Sequence, residues 1–197
     1  MLVIATDCVG GHLYKALNAP HNHPCFWCVI PPDTMEQFLL RFDEIIHVPP
    51  KITKSIHWND WRSARNTFDV VLDKYHIHFI HNKLSSDATP TQHGGDIHYK
   101  YAYVLTIKKW FERLQRMPTE PPKFIISEHV GYGYNQDCME TLATKTKYEL
   151  SILTNKAIHG NHKTNVIPIP DGIINNYSNG RTQFMLDAAL PVLKQWV

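Results

Sequence analysis

The residues best suited to chemistry cluster in one short stretch, Thr6-Asp7-Cys8-Val9-Gly10-Gly11-His12. A cysteine nucleophile needs its thiolate form, a base or positive field to produce it, and donors for an oxyanion. Leu2-Val3-Ile4-Ala5 predicts a short buried strand just before the cysteine, and Leu13, Ala16 and Leu17 recur at helical spacing after it. Asp7 is positioned to cap that helix. A thiol at such a junction lies in the field of a helix N-terminus, which favours thiolate. The N–H groups of Val9, Gly10 and Gly11 are candidate oxyanion or donor contacts, with His12 beside them. Glycines at that place let a ligand approach the backbone closely. The competing reading is a buried structural cysteine in a packing turn.

A base for Cys8 has to arrive from elsewhere in the fold. His81, His98 and His129 are the candidates, the last two with a nearby carboxylate, Asp96 and Glu128, that can orient them. His129 follows a predicted strand, Phe124 to Ser127, and reaches the Cys8 edge only if the two strands run parallel. Trp27 is a candidate ligand contact near the same edge. Arg113 and Arg116 share a helix with Trp110, and arginine forks suit phosphate. Other clusters argue less for function. His76 and His78 share one face of a predicted strand while His81 points away, which disfavours a three-histidine metal site. Cys25-Phe26-Trp27-Cys28 encloses large apolar residues and has no second pair downstream, so core cysteines are expected instead of zinc. No metal site is expected.

Several elements must position these groups. Met35 to Phe42 predicts an amphipathic helix capped by Asp33 or Thr34, with Phe38, Phe42 and Ile45 on one stripe. A strand is expected between Pro24 and Pro31. Residues 51–68 and 82–97 are expected as loop excursions, the first with a short helix from Asn59 to Arg65. Phe68 to Leu72 fits strand or helix, and Tyr75 to His81 alternates as a strand. Tyr101 to Met117 predicts a helix with Val104, Ile107, Phe111 and Leu114 inward and Lys108, Lys109, Glu112, Arg113 and Arg116 outward. Strands are expected at 123–127, 150–154 and 165–169, and helices at 136–147 and 181–197. Strands separated by helices predict an α/β fold, Rossmann-like, with a mostly parallel sheet, helices on both faces and a smaller subdomain.

Composition bounds the rest. At 43% hydrophobic and 19% charged, the 197 residues read as one globular α/β domain spanning 1–197. A net charge of +2 gives no case for a nucleic-acid partner. No apolar run approaches the roughly 20 residues that span a bilayer, and no secretory signal is legible. With four cysteines and no targeting segment, free thiols in a cytoplasmic protein are expected. Neither a Gly-Lys-Ser/Thr phosphate loop nor a Gly-x-Gly-x-x-Gly fingerprint is present, and no Asp-x-Asp pair supports metal-dependent glycosyl transfer.

The opening Asp7-Cys8-Val9-Gly10-Gly11, the following Tyr14-Lys15 helix and the His23-Pro24-Cys25-Phe26-Trp27 segment resemble a bacterial exopolysaccharide-biosynthesis family. That family opens on Ser-Asn-Asn-Cys-Trp-Gly-Gly; here Asp7 replaces Asn, Val9 replaces Trp, and Cys25 interrupts the Pro-Phe step. Ile97-His98 and Arg113-Leu114-Gln115-Arg116 are more loosely similar to a group of papain-like cysteine peptidases. The resemblance covers residues 1–45 and, loosely, 97–130. It implies a Rossmann-like fold and a role near surface glycans. The expected function is a glycosyl or acyl transferase in surface-polysaccharide biosynthesis, binding a nucleotide sugar or acyl-CoA at the Cys8 turn and a glycan acceptor. The alternatives are a cysteine hydrolase with Cys8 as nucleophile, and a non-catalytic glycan or nucleotide binding module.

Overall fold

The computed structural model describes residues 2–6, 9–19, 23–25, 28–54, 68–72, 75–79, 107–108, 110–170, 173 and 179–196. The chain runs β1 (Val3–Ala5), α1 (Val9–Ala16), β2 (Cys28–Val29), α2 (Pro32–Ile45), β3 (Lys51–Lys54), β4 (Phe68–Leu72) and β5 (Tyr75–Phe79). A helical stretch at 110–115 (α3) follows. Then come β6 (Lys123–Ser127), α4 (Gln136–Lys145), β7 (Glu149–Thr154), β8 (Thr164–Pro168) and α5 (Asn179–Leu193).

Four strands form a parallel sheet in the order β1-β6-β7-β8, and the other four form an antiparallel sheet, β2-β5-β4-β3. The fold is α/β, as the alternation of strands and helices predicts. Apolar residues occupy successive positions along β6 and β7 because both faces of the parallel sheet are covered. On one face Val3, Ala5, Ile125, Leu153 and Ile167 pack with Val9, Leu13 and Tyr14 of α1 and Met185, Leu186 and Ala189 of α5. On the other, Leu2, Ile4, Phe124, Ile126, Leu150 and Ile152 pack with α2, Trp110 of α3, and α4. The predicted stripe of α2 lies in this second core, with Phe38 and Phe42 at 0% and Ile45 at 4% exposure. Phe38, Phe42 and Phe124 meet there edge to face, at centroid distances of 5.3 and 6.0 Å.

Three expectations change and one open reading is resolved. Residues 51–54 are a strand paired with β4, not part of a loop, because Lys51-Ile52-Thr53-Lys54 completes the antiparallel sheet. Phe68 to Leu72 is a strand. Helix α2 begins at Pro32, whose missing N–H suits a first helical position, so Asp33 lies in the first turn and is not the cap. Along α3 the inward residue is Trp110, 2% exposed, while Phe111 is 41% exposed. The helix presents 107, 110 and 114 to the core, so Ile107 and Leu114 face inward as expected and Trp110 takes the place given to Phe111. The helix expected from Asn59 to Arg65 and the loop at 82–97 lie outside the described residues.

Candidate functional site

Of the predicted residues, Glu128 and His129 follow β6 at the carboxyl edge of the parallel sheet, and Val9 to His12 open α1 after β1. β1 and β6 pair in parallel, Ala5 opposite Ile125, so both strands deliver their following residues to one edge. The end of β1 is pinned there twice: the Thr6 N–H donates to the Ile125 carbonyl at 3.0 Å, and Thr6 Oγ1 accepts the Ser127 N–H at 3.1 Å. The chain leaving β1 enters α1 on one face, while the chain leaving β6 enters α4 on the other. In α/β sheets, the carboxyl ends of strands whose connections part to opposite faces are where ligands bind.

Glu128 and His129 lie on the β6 side of that edge, 5% and 9% exposed. The Glu128 N–H donates to the Leu153 carbonyl at 2.9 Å, and the Thr154 hydroxyl donates to Glu128 Oε2. Thr154 Oγ1 accepts the Lys156 N–H at 3.0 Å, so the hydroxyl is held in place. Burial of a carboxylate is costly unless it is hydrogen-bonded. Alternation along β6 puts Glu128 on the α4 side of the edge and Ser127 on the α1 side. The Ser127 hydroxyl is fully buried and has no hydrogen-bond partner among the described residues.

His129 is fixed by its loop. Its backbone bridges to Tyr134, with N–H to carbonyl distances of 3.1 Å in both directions, and its ring stacks on Tyr132 at 4.0 Å. Gly133, at φ +85°, turns the chain back between them, and a Cβ there would meet Pro32 Cγ at 3.2 Å. The Tyr134 hydroxyl donates to the Ile30 carbonyl at 2.5 Å, and the Ile30 N–H donates to the Thr6 carbonyl at 3.2 Å. Ile30, just beyond β2, is thereby tied both to the end of β1 and to the loop after β6.

Gly10 carries a packing contact. Gly10 and Gly11 lie within the first turn of α1, not in a loop, and both are buried. A Cβ on Gly10 would fall 2.8 Å from Ala5 Cβ, so this glycine seats α1 directly on β1. Val9 is 1% exposed and belongs to the core, whereas His12 is partly exposed. Trp110 is buried and cannot form a basic-aromatic surface with Arg113 and Arg116. Arg113 is half-buried and its charge reaches Cys25, while Arg116 is exposed. Cys25 is a free core thiol, 3% exposed, and burial holds its pKa far above the ordinary thiol value despite Arg113. Asp7, Cys8, Trp27, His81, Asp96 and His98 lie outside the described residues.

Thr154 and the divergence of the β1 and β6 connections were not foreseen. Thr154 closes a strand on the same edge, a signal present in the sequence; the divergence depends on packing alone. No group of three or more histidine, cysteine, aspartate or glutamate side chains suited to a metal occurs among the described residues. No helix there is long and apolar enough to cross a membrane. No protein-family model and no curated protein is detectably similar to the chain.

Proposed function

We propose that this protein transfers a glycosyl or acyl group from an activated donor to a hydroxyl acceptor in surface-glycan biosynthesis. The donor, a nucleotide sugar or acyl-CoA, binds at the carboxyl ends of β1 and β6, where the Cys8-Gly10-Gly11 stretch leads into α1. The reading rests on one observation: a buried Glu128 carboxylate, anchored by Thr154, at a carboxyl edge where two connections part to opposite faces. A carboxylate so placed takes the proton of the attacking hydroxyl, a contribution of about 100-fold to 10,000-fold in rate. The glycan context is supported by the resemblance of residues 1–45. Thermal-shift screening against nucleotide sugars and acyl-CoA tests it. One donor class stabilises the protein, and Glu128→Gln keeps that stabilisation while losing transfer. Absence of stabilisation by either class removes this reading.

A second reading, cysteine hydrolysis with Cys8 as nucleophile and His129 as base, is favoured by the parallel pairing that directs both connections to one edge. Iodoacetamide labelling against pH separates the two. Under this reading Cys8 alkylates quickly at neutral pH. Cys25, buried and held in its thiol form, stays unlabelled until the chain unfolds.

A further inference from the structure

A second binding feature lies at the opposite, amino edge of the parallel sheet. A groove of about 790 Å³ crosses the beginnings of β6, β7 and β8. That volume is within the range of small-molecule clefts, about 300–1,000 Å³. One wall is basic and polar, made by Lys147, His162, Lys163 and Asn165. The other carries Pro121 and Pro122, with Glu120 at its end. Tyr148 lines the groove between them, braced against Phe124 at 5.6 Å.

The charges along the groove are unequally committed. Lys123 and Glu149 form an ion pair at 3.2 Å on the floor and cancel each other. The Lys163 ammonium donates to the Lys147 carbonyl, just past the end of α4, where backbone carbonyls favour a cation. The Lys147 side chain is exposed and makes no ion pair or hydrogen bond among the described residues. The basic wall therefore keeps a cation available to a ligand, with the exposed His162 and the Asn165 amide next to it. An apolar flank of two prolines and a tyrosine faces it.

We propose that this groove binds a small organic anion, a carboxylate or phosphate carried on a ring. The anionic head lies against Lys147, His162 and Lys163, and the ring lies over Tyr148 and the two prolines. Strands of five and six residues separate the groove from Glu128, roughly 17–20 Å at the usual rise. Its ligand does not take part in chemistry at Glu128. The site stands independently of the transferase reading.

Amide-resolved NMR titration of the full chain tests this, with glucuronate, glucose 1-phosphate, inorganic phosphate and neutral glucose as probes. Saturable shifts at 147–150 and 162–165 with either ring-bearing anion are expected, and the responding probe identifies the head group. Lys147→Glu weakens that binding about tenfold or more, while the thermal midpoint stays unchanged. His162→Ala gives a smaller loss and serves as a second variant should Lys147→Glu perturb the fold. Neutral glucose binding as well as the acids overturns the proposal. So does inorganic phosphate binding as well as the ring-bearing anions. Shifts confined to the Glu128 and Thr154 region, or binding indifferent to both variants, overturn it as well.

Discussion

Tyr14 is 1% exposed, and its hydroxyl oxygen accepts the Val3 N–H at 2.8 Å. Burial pushes its pKa up from 10.0 to about 12, the hydrogen bond from Val3 opposing only part of the rise. The unfolded phenol loses its proton near pH 10 while the folded one keeps it until about 12. In that window the unfolded state binds fewer protons, so stability falls as pH rises, by about 3 kcal/mol across the interval. Urea denaturation from pH 8 to 12 is expected to show this decline. Tyr14→Phe removes this contribution to the slope but costs about 1–3 kcal/mol at neutral pH, because the Val3 N–H loses its acceptor. A variant whose alkaline slope matches the parent would refute that assignment. Cys138, half-buried on α4, also has its thiol pKa raised, by burial first and by the nearby Glu36 carboxylate second. Neither described thiol is activated.

At the scale of elements, the contact between α1 and β1 is the tightest constraint on the site. Gly10 allows that approach, since any Cβ there falls 2.8 Å from Ala5 Cβ, closer than real contacts tolerate. Gly10→Ala is expected to destabilise the fold by about 1–3 kcal/mol in chemical denaturation, the usual cost of overpacking. Ala5→Gly in the same chain is expected to restore part of that loss, which additive effects of the two changes would not do. Helix α4 is started by Asn135, whose side-chain oxygen accepts the Cys138 N–H at 2.9 Å. Helix α2 is one continuous predicted pattern, yet its backbone departs from helix at Arg41, φ −154° and ψ 46°. The inward stripe of Phe38, Phe42 and Ile45 survives that break. In α3, both Trp110 and Phe111 satisfy a helical period, and only the neighbouring core chooses between them.

For the whole molecule, β6 and β7 are the interior strands of the parallel sheet and are covered on both faces. Their amides are expected to exchange with solvent only on global unfolding, whereas those of β8, at the edge with Asn165 exposed, exchange sooner. Hydrogen exchange read by mass spectrometry or NMR checks this, and faster exchange in β6 than in β8 would contradict it. The two ends of the sheet differ in character. The carboxyl edge holds a buried carboxylate and a stacked histidine, and the amino edge holds an open groove with a basic wall.

The amino-acid sequence alone pointed to strands at 2–5, 123–127 and 150–154, against the observed 3–5, 123–127 and 149–154, because runs covered on both faces are rich in apolar residues. It also determined the burial of Phe38, Phe42 and Ile45, and put Glu128 and His129 just past a strand. Parallel pairing with β1 was only a condition in that reading. Tertiary structure met the condition, brought Thr154 to Glu128, turned the two connections to opposite faces and gave Gly10 to packing. Propensity and periodicity act over a few neighbouring residues, whereas each of those outcomes depends on which distant surfaces exclude water together.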